Sequence, residues 1–320
     1  MAILLVGAFV AGVAVAPSSW VDPSPHQTQL VRVARDVHVE VLDWGGEGRP
    51  LILLAGLGHT AHVFDDFAPR LTDRYHVLGI TRRGYGASST PVKGYTARQL
   101  ADDVLAVIDR LNLTRPIIAG HSIAGEEMSS LAARHADRVS GLIYLDAAYD
   151  RSDPVLQAAT KRTRAPTPTA ADFASIHALQ GFQERLLGVK IPESDTRNLV
   201  ELRSDGRIRR FRTPPWVAQA IMAGVQKPDY SHIHVPALAI YAAPRSVRDL
   251  PGYRDDDGSR TAFEERYRFT VDQQRINQTR FHDGMSDGHV VQIPGASHYV
   301  FLSNESDVLR EVSAFLDNLP

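Results

Sequence analysis

The sequence predicts an α/β fold: a mostly parallel sheet flanked by helices, with a helical insertion carried on it. Two observations predict the sheet. Short all-apolar runs recur at Leu51–Ala55, His76–Ile80, Pro116–Ala119, Gly141–Leu145, Ala237–Tyr241 and His289–Ile293, the pattern of strands buried on both faces. Helical patterns lie between most of them, which implies right-handed βαβ units. A third observation predicts the insertion. Between Asp150 and His234 the rhythm fails, and Pro154, Pro166, Pro168, Pro192, Pro214, Pro215 and Pro228 punctuate short helix-like pieces with no clear buried strand.

In chain order, residues 2–16 carry no charge and end in Ala14-Val15-Ala16. The run is short for a membrane span. Its small-x-small ending fits an export signal, although a basic n-region is missing. The expectation is an exported, periplasmic or extracellular protein; a cytoplasmic or membrane-anchored one is the alternative. Residues 17–29 read as a linker, so 1–29 form a signal-like segment with its connection. Residues 30–43 alternate apolar and polar, as in a half-buried hairpin interrupted at Asp36. Thr96–Leu111 places Leu100, Val104, Val107, Ile108 and Leu111 on one helical face, with Thr96 as N-cap. Ile123–His135 and Glu305–Leu316 are further helices. The core is then 30–149 with 235–320, and 150–234 is a helical cap or lid.

Composition limits the function. With 22% charged residues, 43% hydrophobic residues and a formal charge of −2, the chain is neither disordered nor a nucleic-acid binder. It has no cysteine, which excludes a disulfide scaffold, a thiolate metal site and a cysteine nucleophile. The pairs His59/His62 and His232/His234 lack a third ligand at convincing spacing, so no metal and no cofactor is expected. The partner expected is a small-molecule substrate, without nucleic acid and without stable membrane insertion of the mature chain.

The chemistry concentrates at Gly120-His121-Ser122-Ile123-Ala124-Gly125, directly after an apolar strand and at the start of a helix. Strand, tight turn of small residues and helix make a nucleophile elbow that projects Ser122 above the sheet. Alanine stands where the last glycine of G-x-S-x-G is usual. An acyl-transfer serine needs an oxyanion hole. The N–H groups of Ile123 and of Leu57, in the glycine-flanked loop Ala55-Gly56-Leu57-Gly58-His59, are the expected donors. A base should follow the last strand, where His298 stands. Gly56, His59, His121 and Trp216 are expected around the substrate, with Trp216, Ile221 and Met222 as an apolar ceiling. Glu126 and Glu127 read as first-turn acids that complement the helix dipole, and Arg207–Arg212 as a solvated face.

These motifs, with Arg82-Arg83-Gly84-Tyr85-Gly86-Ala87-Ser88, resemble the α/β-hydrolase superfamily over roughly residues 30–320. The resemblance implies an eight-stranded sheet with a cap inserted after the sixth strand, and a Ser-His-acid triad. In most relatives the acid follows the seventh strand, but Ala242-Ala243-Pro244-Arg245-Ser246 holds no carboxylate. Some relatives take it from the end of strand six, where this chain has Asp146. Asp146 is the first choice, Asp249 the alternative and Asp150 a third. The activity implied is ester cleavage. The alternatives are a peptidase, lactonase or C–C bond hydrolase, or a non-catalytic member that binds a small ligand.

Overall fold

The computed structural model describes residues 20–162, 166–253 and 256–319. Its centre is an eight-stranded sheet in the order β1-β2-β4-β3-β5-β6-β9-β10. The strands are β1 (Gln27–Ala34), β2 (Val37–Gly45), β3 (Arg49–Leu54), β4 (Tyr75–Thr81), β5 (Ile117–His121), β6 (Gly141–Leu145), β9 (Ala237–Ala243) and β10 (Gly288–Pro294). β1–β2 and β2–β4 pair antiparallel, and every other pair is parallel. Strand order reverses at β3, which has β4 on one side and β5 on the other. The crevice beyond the carboxyl ends of β3 and β5 is therefore where an open α/β sheet takes a ligand.

Helices cover both faces. α1 (Ala97–Arg110) begins where Thr96 accepts from the Gln99 N–H and buries Leu100, Val104, Val107 and Ile108. α2 (Ala124–Arg134) follows the elbow, and the short α8 (Val300–Ser303) and α9 (Glu305–Asp317) come last. One apolar layer packs Val41, Ile52, Ile118 and Tyr144 under α1 and α2. The other packs Leu53, Ala119, Leu145 and Ile240 against Phe64, Phe301 and Phe315.

Between β6 and β9 the chain forms α3 (Pro154–Arg162), α4 (Ile176–Leu187), α5 (Glu193–Leu199) and α6 (Pro215–Ala223). This stretch also contains the hairpin β7 (Val200–Leu202) and β8 (Ile208–Phe211), which the sequence pattern did not suggest. Only Val200 and Ile208 of that hairpin are well buried, too little apolar surface to mark a strand.

The structure departs from the sequence reading, or adds to it, at further points. The stretch 17–29 is not simply a linker: β1 starts at Gln27, and the Arg197 guanidinium lies 4.6 Å over the Trp20 ring. β10 is not buried on both faces, because it is an edge strand with only Ile293 buried. A long helix, α7 (Asp257–Gly284), precedes β10 and was not anticipated. Glu126 and Glu127 stand in the first turn of α2, as expected, and both are buried there. The apolar segment 2–16 lies outside the described residues. No described helix is long and apolar enough to cross a membrane.

Candidate active site

Ser122 sits at the end of β5 with φ 55°. That left-handed backbone is costly for a residue with a side chain and is held only by its surroundings. The surroundings are tight. A Cβ on Gly120 would meet Met128 Sδ at 2.4 Å and Ala124 Cβ at 2.9 Å, and one on Gly125 would meet the Ala147 carbonyl oxygen at 2.1 Å. Glycine at both points lets α2 cross close over β5 and β6, which fixes the turn that lifts Ser122.

Ser122 Oγ lies 2.8 Å from His298 Nε2, and His298 Nδ1 lies 2.6 Å from Asp146 Oδ2. Asp146 ends β6, also with positive φ (47°). Its Oδ1 accepts from the Tyr149 hydroxyl at 2.7 Å and the Ala242 N–H at 3.1 Å. The carboxylate is thus buried with both oxygens engaged, while the His298 side chain is 42% exposed. Asp249 does not join this chain. It lines the same cavity as Ser122 but accepts from the Arg245 N–H at 2.7 Å and from its guanidinium at 3.2 Å, not from His298. Asp150 instead accepts from Ser152 Oγ at 2.6 Å and faces Arg280.

A cavity of about 460 Å³ opens on Ser122. Leu57 and Ile123 line it beside Ser122, with Tyr149, Arg151 and Met222 among the rest. Gly56, His59, His121 and Trp216 do not line this cavity, and each has a physical reason. Gly56 lies beneath the floor, where an added Cβ would press on the His121 ring at 2.6 Å. His59 spans Asp195 Oδ2 (2.6 Å) and the Tyr299 hydroxyl (2.8 Å). His121 donates from Nε2 to the His298 carbonyl at 3.0 Å. Burial and the neighbouring His298 and His59 hold its pKa well below the usual range, so the ring is neutral. Trp216 is 38% exposed and packs edge-on against Tyr95. Ile221 is buried in a cluster that includes Tyr95, Leu100 and Ile123, so Met222 is the one member of the expected ceiling that lines the cavity.

Buried polar pairs hold the loops. Arg82 pairs with Glu127 and donates to the Ala55 carbonyl at 2.8 Å, anchoring the loop that carries Leu57. Asp195 of α5 accepts from the Thr60 N–H at 2.8 Å and its hydroxyl at 2.6 Å, tying the insertion to the same loop. Glu126 accepts from the Gln226 N–H at 2.9 Å, and burial raises its pKa to about 7. The run Arg207–Arg212 spans β8 and is exposed except at Ile208, with Arg210 paired to Glu201.

Two residues at the site went unread in the sequence. Tyr149 steadies Asp146. Arg151 stacks over the Tyr149 ring at 5.3 Å and donates to Ser122 Oγ at 3.3 Å. Among the described residues its guanidinium makes no ion pair with a carboxylate within 4.0 Å, although Glu126 feels its charge and accepts from its backbone N–H. Their signal was position: both lie within six residues of the end of β6, on the cavity rim.

A parallel sheet with a reversal at β3, an elbow serine and a histidine after the last strand define one class of protein. Residues 49–230 match the alpha/beta hydrolase fold, and the chain belongs to that family. It is 26% identical to the 3-oxoadipate enol-lactonase 2 of Acinetobacter baylyi over 218 residues, covering 67% of this chain and 78% of that protein. It is 28% identical to the 2-(acetamidomethylene)succinate hydrolase of Mesorhizobium japonicum over 133 residues, 42% of this chain and 48% of that one. Several matches thus span less than half the length of the curated relative. The crystal structure of E-2-(acetamidomethylene)succinate hydrolase superposes with a TM-score of 0.69 at 21% identity, over 91% of this chain and 99% of that one. That likeness is one of fold.

Proposed function

We propose that this hydrolase-family chain cleaves carboxylic esters through an acyl-enzyme on Ser122. The observation that carries the reading is the unbroken line Ser122 Oγ–His298–Asp146, with contacts of 2.8 and 2.6 Å. His298 Nε2 takes the Ser122 proton as Oγ attacks the ester carbonyl. Asp146 holds the Nδ1–H tautomer and stabilises the imidazolium. The N–H groups of Leu57 and Ile123 receive the oxyanion. The tetrahedral intermediate collapses, His298 gives its proton to the departing alkoxide, and water repeats the sequence to free the acid and Ser122. Residues 150–234 act as the cap, with Met222 and Leu156 bringing apolar surface over the acyl group.

Arg151 favours esters that carry a carboxylate. A guanidinium on an apolar wall, unpaired among the described residues, offers a two-pronged anion site next to the nucleophile. The two curated relatives above are named for an adipate-derived enol-lactone and a substituted succinate, compounds that carry a carboxylate, which agrees with that preference. A chromogenic ester should release one equivalent of alcohol in a burst, absent in Ser122→Ala. Arg151→Gln should raise KM roughly tenfold for a carboxylate-bearing ester and leave a neutral ester unchanged. Equal effects on both esters would refute the anion preference, and an undiminished burst in Ser122→Ala would refute the nucleophile. The apolar run 2–16 supports export, which the mass of protein secreted by the native host tests.

A further inference from the structure

On the other side of the loop that carries Leu57 lies a cluster with no part in this chemistry. Asp22 and His26 precede and lead into β1; His62 and Asp65 follow the loop, in the short turn after β3. One ligand-type atom from each of the four lies within 4.8 Å of the others. The side chains of His26, His62 and Asp65 are 7%, 5% and 4% exposed. His26 Nε2 and Asp65 Oδ1 are buried and have no hydrogen-bond partner. Two such atoms, an acceptor-capable ring nitrogen and a carboxylate oxygen 3.5 Å apart, are costly to leave unmatched.

We propose that Asp22, His26, His62 and Asp65 form a closed structural site for a divalent cation of the zinc type.

Four of the separations are close to the edges of a tetrahedron, with Asp65 turning a different carboxylate oxygen to each histidine. Bonds of about 2.0–2.1 Å to a tetrahedral ion set its ligand atoms roughly 3.3–3.4 Å apart. His26 Nε2 is 3.5 Å from Asp22 Oδ2 and 3.5 Å from Asp65 Oδ1; His62 Nδ1 is 3.4 Å from Asp22 Oδ2 and 3.1 Å from Asp65 Oδ2. Two imidazoles with two carboxylates suit zinc better than magnesium or calcium, which take six or more oxygens. Two carboxylates also cancel the charge of a dication, which a buried site requires.

The atoms turned away from the centre are engaged as supporting groups of a metal site should be. Thr28 Oγ1 lies 3.4 Å from His26 Nδ1, Glu40 Oε1 lies 3.9 Å from His62 Nε2, and Asp22 Oδ1 accepts from the Ser24 N–H at 3.0 Å. Ser194 of α5 donates to Asp65 Oδ2, the oxygen beside His62 Nδ1, and so fixes the carboxylate. The cation would pin the segment before β1 to the base of the loop that carries Leu57. A proton is the rival occupant. Burial opposes charging of His62, but hydrogen bonds to Asp65 and Glu40 outweigh it and push its pKa up to about 10. That imidazolium would still leave His26 Nε2 and Asp65 Oδ1 unmatched.

The test uses the full chain without an affinity tag, treated with chelator and then titrated with Zn²⁺ or Co²⁺ alone. One equivalent of zinc should be retained, the thermal midpoint should rise with added Zn²⁺, and Co²⁺ should give the visible bands of a tetrahedral site. Asp22→Asn, at the most exposed ligand, and His26→Gln should each weaken Zn²⁺ binding by roughly a hundredfold or more. Should His26→Gln fail to fold, Asp22→Asn and the cobalt spectrum decide between them. No bound zinc and no midpoint shift would overturn the proposal, as would undiminished binding in Asp22→Asn.

Discussion

Replacing Asp146 by asparagine tests the acid, where the sequence left three aspartates in play. Asp146 Oδ1 already accepts two hydrogen bonds, from Tyr149 at 2.7 Å and Ala242 at 3.1 Å. The amide oxygen of an asparagine has to take that position, because only an acceptor satisfies both donors. Its NH2 group then occupies the place of Oδ2 and points at His298 Nδ1, 2.6 Å away in the native chain. A donor there forces the His298 proton onto Nε2, and Nε2 can no longer accept the proton of Ser122. The same tautomer reversal in a Ser-His-Asp triad costs about 10⁴ in kcat, roughly 5.5 kcal/mol in the barrier. Asp146→Asn should therefore lose about four orders of magnitude in kcat on a chromogenic ester, with little change in KM. Asp249→Asn should stay within about threefold of wild type, since it loses only an exposed pairing with Arg245. The reasoning fails if Asp146→Asn keeps more than a tenth of wild-type kcat, or if Asp249→Asn proves the more damaging. Circular dichroism should show both variants folded.

Glu126 gives a pH dependence. Its folded pKa of about 7 stands above its ordinary 4.5, so the folded chain keeps a proton that the unfolded chain releases. That contribution is complete below about pH 4.5 and is lost as pH rises through about 7. Glu126→Gln should flatten the fall in urea midpoint between those values and gain up to about 3 kcal/mol at pH 8; an unchanged slope would contradict it. Gly125→Ala should cost roughly 3 kcal/mol, because its Cβ would lie 2.1 Å from a backbone oxygen; an unaltered urea midpoint would show that the helix can move away. Ser122→Gly should abolish turnover yet melt no lower than wild type, since glycine adopts φ 55° freely and that gain offsets its greater unfolded-state entropy. A midpoint several degrees lower would show that the elbow is unstrained.

Strands buried on both faces, β3, β4, β5, β6 and β9, were legible because nothing polar interrupts them. The elbow was legible because strand, small residues and helix adjoin in sequence. Asp146, which the structure brings to 2.6 Å from His298 Nδ1, stood first among the candidates because its competitors were absent or remote. Other elements hid for physical reasons. α7 buries Gln273, Gln274 and Asn277 beside Phe281, so its inner face does not look apolar. β10 is an edge strand, and its alternation is shallow. His59 and His121 adjoin catalytic-looking glycines, yet their rings serve the loops: Asp195 and Tyr299 are 135 residues or more away in the chain from the groups they hold. Partners so far apart leave no local spacing to read. The grouping of Asp22 and His26 with His62 and Asp65 is hidden in the same way, since β1, β2 and β3 separate the two pairs.

The central claim is that Ser122 is the nucleophile of a triad completed by His298 and Asp146. Labelling with a fluorophosphonate tests it most directly, because the probe needs an activated serine and no knowledge of the substrate. Serine attack at phosphorus displaces fluoride and leaves one stable phosphonyl group per chain. The account predicts a single adduct, found by mass spectrometry on the peptide containing Ser122, absent in Ser122→Ala and greatly slowed in Asp146→Asn. An adduct on another residue, or equal labelling of Ser122→Ala, would contradict it.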